Sequence, residues 1–451
     1  MTPNLAASRV SAFSGREGYF LGVLLLINTV NYLDRQVINI LAEPIRLDLK
    51  LDDWQIGAIT GLSFALLYTI VGLPLARIAE RVHRPTLLGA AIGVWSAFTL
   101  LCGAANSFWQ LALFRTGVGL GEGAAAPVCY SLIIDRVAKA KRATAIAIFA
   151  TGTSIGALAG MALGGIVADH YGWRTAFLFA GLPGIVLAIL AAKTLSEPRA
   201  NSGALNLRTL LAPAPNVPSL KATLRELASS KSFPLITFAS ATGGLVNFVH
   251  SAFFAAFMMR VHPEELKQLA ATFGGAMGIT TPVGFVGITL GLASGIMGII
   301  GTLFGGWLAD TMAARRGHGV YMMIPAVAKL VSLPIAISAL LAPNVVLALL
   351  LVCALNVIRS AAHGPALGSV YALVRPEIRP TTSAIMVFVI AVLGLGIGPV
   401  AVGLLSDTLS ASGWGEADGL RIALICAESA GLVGGILFLI ARPIYIREAR
   451  Y

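Results

Sequence analysis

Residues 28–39 read NTVNYLDRQVIN, and they lie inside a segment from Tyr19 to Leu41 that is otherwise long and apolar enough to cross a bilayer. An acid and a base, Asp34 and Arg35, stand side by side near its middle. An ionised side chain at the centre of hydrocarbon costs at least about 2.5 kcal/mol, so this pair requires partners or a water-filled cavity. At the helical period, Asn28, Asn31, Arg35 and Asn39 recur at i, i+3, i+7 and i+11, a polar stripe with Asp34 beside it. The stretch predicts a membrane helix with one wet face.

The remainder of the chain repeats the apolar run with fewer charges. Of 451 residues, 57% are hydrophobic and 12% charged, and the mean hydropathy is +0.83. Runs of spanning length occur near 19–42, 55–76, 86–104, 109–134, 143–167, 174–193, 233–258, 285–308, 320–341, 345–371, 382–405 and 421–441. Backbone polar groups cannot stay unpaired in hydrocarbon, and strands of a membrane barrel would alternate in polarity, so these runs are expected to be helices. The predicted class is all-α integral membrane with twelve transmembrane helices.

A net charge of +11 raises the question of nucleic acid, but the distribution of basic residues answers it. Lys and Arg concentrate in the two tails and in every second connection, above all Lys193 to Lys231. That asymmetry predicts both termini and the long middle loop in the cytoplasm, with a lipid bilayer and not nucleic acid as the surrounding partner. The four cysteines, Cys102, Cys129, Cys353 and Cys426, all fall within spans, so neither a disulfide framework nor a metal-ligand spacing is expected. Short tails and short loops suit a bacterial inner membrane.

The polar interruption divides six spans from six. The expected organisation is a tail at 1–18, a six-helix bundle at 19–193, a linker at 194–231 with a short amphipathic helix, a second bundle at 232–441 and a tail at 442–451. The halves echo each other. ARIAERVHR at 76–84 matches GWLADTMAARR at 306–316, and FRTGVGLGEG matches IRSAAHGPALG with Arg115 opposite Arg359. GGIVAD ending at Asp169 matches VGLLSD ending at Asp407, and NYLD at 31–34 faces NFVH at 247–250. Four matches in one order predict a duplicated unit, the way many transporters build a central site.

With these residues laid out, the chain resembles the major facilitator superfamily over nearly its whole length. The family's loop pattern between spans two and three appears altered as Ala76 to Arg84, with Glu80 where Asp is usual; the second copy keeps Gly306 to Asp310. RTGVGLGEGAAAP at 115–127 and GWRTAF at 172–177 are also similar to the family pattern, and NYLDR together with GLGEGA most resembles its spinster-like branch. That resemblance implies two pseudo-symmetric six-helix bundles and a lysolipid-like or sphingoid substrate, with protons as coupling ion and no cofactor.

The charges can be assigned expected roles. Arg115 and Glu122 lie two turns apart on one face with Gly119 between them, so they are expected to converge with Asp34 and Arg35. Asp34 and Glu122 would exchange protons while Arg35 and Arg115 bind an anionic group or replace the proton, since a proton and a guanidinium compete for one carboxylate. Asn31 belongs to the same wall. The second half offers His250, with Asn356, Arg359 and His363 at i, i+3 and i+7, and a less charged wall is expected there. Glu428 is open to three readings, snorkelling, pairing with a base or facing the cavity, and Lys329 is expected to reach toward the cytoplasmic interface. Glu80, Arg81, Arg84, Asp135, Arg136, Asp310 and Arg315 lie at cytoplasmic ends, where pairs between the halves would form a gate.

Glycines give two further expectations. GTSIGALAGMALGG at 152–165 spaces small residues every four positions, which suits a helix sliding on a neighbour, and the segment TFGGAMGITTPVG is expected to be an external hairpin or lid. GVGLGEG is not a phosphate loop: no strand precedes it and the lysine is missing. Read together, these features predict a monomeric secondary transporter of an amphipathic anion, which the resemblance implies is lipid-like. A drug or sugar-phosphate carrier, or a scramblase or channel on the same scaffold, is the alternative. An enzyme is not expected, because no nucleophile, metal spacing or His/Asp cluster is evident.

Overall fold

The computed structural model describes residues 13–79, 82–198, 220–275, 279, 281–375 and 378–449, and these are almost entirely helical. The N-terminal half contains α1 (Gly15–Ile40), α2 (Ala42–Leu49), α3 (Asp53–Gly57), α4 (Ser63–Ala79), α5 (Arg84–Cys102), α6 (Phe108–Glu122), α7 (Ala125–Arg136) and α8 (Arg142–Thr194). The short amphipathic helix expected in the linker is α9 (Leu220–Ser229). The C-terminal half contains α10 (Ser232–Val261), α11 (Pro263–Phe273), α12 (Pro282–Arg316), α13 (Val320–Leu340), α14 (Val345–Ala361), α15 (His363–Tyr371), α16 (Arg379–Ile390), α17 (Gly398–Leu409) and α18 (Glu416–Glu448).

Ten helical stretches among the described residues are long and apolar enough to cross a membrane by length and composition. Two features reconcile that number with the twelve runs read from the sequence. The stretch Thr144–Thr194 is folded at Gly172, whose φ of 80° breaks the helix between the fifth and sixth runs. And α1, 26 residues long, loses hydropathy to the polar stripe that identified it. Two short helices, α2 and α11, were not evident in the sequence. Each follows a spanning helix directly, and both are amphipathic.

Helix ends follow ordinary capping chemistry. Ser14 and Glu17 form a reciprocal box at the start of α1, and Asn344 accepts from the Leu347 N–H at the start of α14. The start of α10 borrows its cap from the far end of the chain: Glu448 accepts from the backbone N–H groups of Lys231 and Ser232 at 3.0 and 3.1 Å. Asp48 of α2 takes a hydrogen bond from Arg174 just past the Gly172 break, which holds its carboxyl below the usual carboxylate range.

Close packing inside each half rests on small residues. Gly152, Gly156 and Gly160 of α8 lie on α1, and a Cβ added to each would meet the carbonyl oxygens of Leu25, Thr29 and Leu33 at 2.9, 2.3 and 2.6 Å. The repeat expected to slide is therefore a tight intra-half seam along most of its length. Its other face meets the C-terminal half, where Gly287 and Gly291 of α12 lie against the Met161 and Leu158 carbonyls.

Among the described residues, the halves also meet at the α2–α3 end. Gly57 packs on Pro399, Gly61 on Leu395 and Gly403 on Asp53. Farther along, toward the end that carries both termini, Gly72 faces Gly123 of its own half, and Gly301 and Gly305 of α12 turn to Val357 and Ala361 of theirs. The molecule is closed at the α2–α3 end and splayed at the end of the termini.

Candidate functional site

The polar stripe of α1 faces the interior at mid-helix. Arg35 donates from Nε to Glu122 of α6 at 2.5 Å, and its guanidinium lies over three rings, Tyr32, Phe64 and Tyr68, at 5.2, 4.9 and 4.6 Å. Two cavities meet at this point. One is lined by Asn28, Asn31, Tyr32, Arg35, Tyr68, Glu122, Tyr130 and Thr153, and the other by Tyr32, Arg35, Gln36, Asn39, Thr60, Phe64 and Arg115, with Phe248, Ser251 and Leu395 from the C-terminal half. Tyr32 and Arg35 are the partition between them.

Of the two acids expected to share the cavity, only Glu122 lines it. Asp34 is fully buried, accepts a hydrogen bond from Thr99 of α5 at 3.2 Å and has its second oxygen without a partner. It sits one residue off the stripe, so the helical turn aims it at α5 and away from the open space. One oxygen of Glu122 is likewise unpartnered, as is the Asn31 amide nitrogen.

Arg115 is 2% exposed and donates to the Ile59 carbonyl at 3.3 Å. That carbonyl is available because residues 58–62 form a π-turn, whose longer hydrogen-bond register shifts the backbone acceptors out of the usual ladder. Among the described residues, no carboxylate lies within 4 Å of Arg115.

The second half is more charged than expected. Glu428 of α18 accepts from Arg359 of α14 through both oxygens, at 2.8 and 2.6 Å, and its Oε1 lies 3.3 Å from Nδ1 of His250 on α10. Stacking on Phe254, with centroids 4.3 Å apart, fixes the imidazole. Lys329 does not reach for the interface. Its ammonium turns inward against Gly243, where an added Cβ would lie 2.2 Å away. His363 is exposed at the start of α15, and Asn356 turns its amide back to the Val352 carbonyl. The i, i+3, i+7 face of Asn356, Arg359 and His363 is therefore divided among three different environments.

Glu428 was visible in the sequence as a lone acid in an apolar span, but nothing there announced its partners. They come from two other helices, one of them 178 residues away.

These observations describe two helical halves around an interior with one buried acid–base cluster in each. The profile of the Major Facilitator Superfamily matches residues 24–399, across both halves. The chain belongs to the Major Facilitator Superfamily. It is a membrane transporter and not an enzyme. It is 31% identical over 429 residues to an MFS-type efflux pump of Mycolicibacterium smegmatis, covering 95% of this chain and 93% of that one. The crystal structure of a bacterial homologue of the human lysosomal transporter Spinster, inward-facing and occupied, superposes with a TM-score of 0.82 at 25% identity, covering 98% of this chain and 100% of that one. The sphingosine-1-phosphate transporter SPNS2 of Danio rerio is 27% identical over 240 residues, 51% of this chain and 45% of that protein. Within the superfamily the likeness falls on the spinster branch.

For a Major Facilitator Superfamily transporter the closed end is as informative as the cavity. Arg260 at the end of α10 donates to both oxygens of Asp53 at 2.8 and 2.7 Å and from Nε to Glu43 at 2.8 Å, joining the halves. Arg46 bridges Glu43 and Glu416 at 2.9 and 2.8 Å. Ser406 donates to Asp53, and Asp407 accepts from the Asp53 and Trp54 backbone N–H groups at the start of α3. None of Glu43, Arg46, Asp53 or Arg260 was singled out from the sequence, where each reads as an ordinary charge at a span end.

The expected gate lies at the other end. Glu80 and Arg81 fall outside the described residues. Arg84 pairs with Asp135 at 2.7 Å and with Glu197, Arg136 reaches Ser196 and the Phe20 ring, and Asp310 accepts from Tyr321; all of these partners are in the same half. Arg315 is exposed. The physical reason is the splay itself: where the halves part, side chains of opposite halves are out of reach.

Proposed function

We propose that this transporter carries an amphipathic anion by alternating access, with protons as coupling ion and no cofactor. The reading also takes the protein to be a monomer in a bacterial inner membrane with both termini cytoplasmic. The excess of Lys and Arg on the side of the termini supports that orientation, which makes the present state open to the cytoplasm.

One observation carries the reading: Arg35 is bonded to Glu122 on a cavity wall, and Glu122 keeps one oxygen free. A proton and Arg35 compete for that carboxylate, so an arriving anion that draws Arg35 away leaves Glu122 to take a proton. Asp34, behind it, serves as the second proton-holding group. Arg115, held by a carbonyl and the Phe64 ring and by no described ion pair, supports a role in meeting an anion, and this also suits a sugar-phosphate or other organic-anion carrier.

Proteoliposome uptake under an imposed pH gradient tests the coupling. Glu122→Gln and Asp34→Asn are each expected to abolish the response to the gradient while leaving gradient-independent counterflow. A gradient response equal to that of the unmodified protein in both variants rejects the role assigned to these acids.

A further inference from the structure

Lys329 is not explained by anything above. It lies mid-helix in a spanning segment; among the described residues it has no carboxylate within 4 Å, and its only ring partner is Phe438 at a distance of 6.0 Å. Glycines make its berth: an added Cβ at Gly243 would fall 2.2 Å from Nζ, and one at Gly434 would fall 3.2 Å from Cδ. A helix interface that only needed packing would fill this space with hydrocarbon, because an ammonium without a counter-ion is costly inside a membrane protein.

Its neighbours complete a pattern. Arg359 and Glu428 both lie within electrostatic reach of Lys329, and Lys329 in turn within reach of His363. Glu428 is buried and takes both of its bonds from the single nitrogen Nη2 of Arg359, whereas Arg359 Nε and His250 Nε2 are buried with no hydrogen-bond partner. Two cations therefore surround one carboxylate, with polar atoms left unsatisfied beside it. Because Glu428 uses only Nη2, the rest of the guanidinium fork is left for a carboxylate or phosphate ligand.

We propose that Lys329, Arg359 and His250 form an oxyanion subsite in the C-terminal half, with Glu428 as an internal placeholder that the head of the transported anion displaces. The subsite takes a carboxylate or phosphate head, and it rests on the reading of this protein as an anion carrier. It is separate from the Arg35–Glu122 pair, which belongs to the opposite half. A purely structural triad of Arg359, Glu428 and His250 would be complete without a lysine aimed at the same place, and it would leave Arg359 Nε no reason to remain unpaired.

The test is equilibrium binding to the full-length protein in nanodiscs, using octyl phosphate, octanoate, glucuronate, inorganic phosphate and, as the neutral control, octanol. Lys329→Met is expected to weaken octyl phosphate or octanoate about tenfold or more, as loss of a charge-assisted contact does, while octanol binding stays within twofold. Glu428→Gln is expected to tighten the same anions at least about threefold by releasing Arg359. A gain of affinity cannot come from a folding defect, so the second variant decides the matter if the first is unstable.

The same opposed signs seen with glucuronate or inorganic phosphate alone would support the subsite and identify a hydrophilic anion as its source. Anion affinity indifferent to Lys329→Met, or weakened by Glu428→Gln, overturns the subsite. Counterflow by the unmodified protein keeps the two readings apart. Its absence for every anion sinks the carrier reading, whereas its presence together with binding indifferent to Lys329 sinks the subsite alone.

Discussion

Arg35 combines two functions that a lysine cannot hold together. Its guanidinium is planar, so it stacks among Tyr32, Phe64 and Tyr68 while Nε points along the ring plane to Glu122. An ammonium is a hydrated point charge that would keep one of these contacts and lose the other. Arg35→Lys preserves the charge and is expected to lower pH-gradient-driven uptake at least about tenfold, in line with the loss of a charge-assisted bond between buried groups. Uptake in that variant equal to the parent protein would show that charge alone matters and that the stacked geometry does not. Part of this was legible in advance. Asp34, Arg35, Arg115 and Glu122 stood out because a charge in an apolar run is expensive, and cost is visible in a sequence. Which acid faces the cavity was not visible, because Asp34 and Arg35 differ by one helical step and the neighbouring helix decides which of them meets open space.

Helices in this molecule are positioned by what they omit. Along α1 and α8 the Gly152, Gly156 and Gly160 positions remove side chains where the backbone of α1 passes, whereas Gly18 and Gly22 of α1 face nothing within 4 Å. The two kinds of glycine should respond oppositely to alanine. At Gly22 the methyl meets no obstacle and lowers the entropy of the unfolded helix, so Gly22→Ala is expected to raise thermal stability by about 0.5–1 kcal/mol. At Gly156 the added carbon falls 2.3 Å from the Thr29 carbonyl, and separating α1 from α8 to admit it is expected to cost about 1–3 kcal/mol. Melting curves of the two purified variants read both signs, and a Gly156→Ala protein as stable as its parent would mean the seam has slack. The four-residue spacing announced a small-residue face but not its partner, since the same spacing serves a seam within a half or a sliding surface between halves. The short helix α2 escaped notice for a related reason: its eight residues are too few to establish a period from sequence.

Across the whole molecule, two halves that part at one end must be held at the other, and Arg260 is the centre of that hold. It is 7% exposed in its side chain, and it satisfies Asp53 and Glu43, which are also buried. The fold and its pseudo-repeat could be read from apolar runs and matched motifs, but this network could not, because its members become neighbours only when α2, α3, α10 and α18 converge. Removing Arg260 leaves Glu43 to Arg46 alone and Asp53 without its described cation, and breaking a buried pair in this way costs about 3–5 kcal/mol. Arg260→Met should therefore destabilise the state closed at this end and favour the state open there, where water can reach Glu43 and Asp53 again. Spin labels placed by Leu47→Cys and Ser412→Cys, both exposed, on a background lacking Cys353 and Cys426, would report longer distances in the variant. The triple change Glu43→Gln, Asp53→Asn and Arg260→Met leaves no uncompensated charge, so it should return the distances part of the way toward the parent distribution. Distances that do not move in Arg260→Met, or that move as far in the triple variant as in the single one, would show that the glycine contacts close this end without help from the charges.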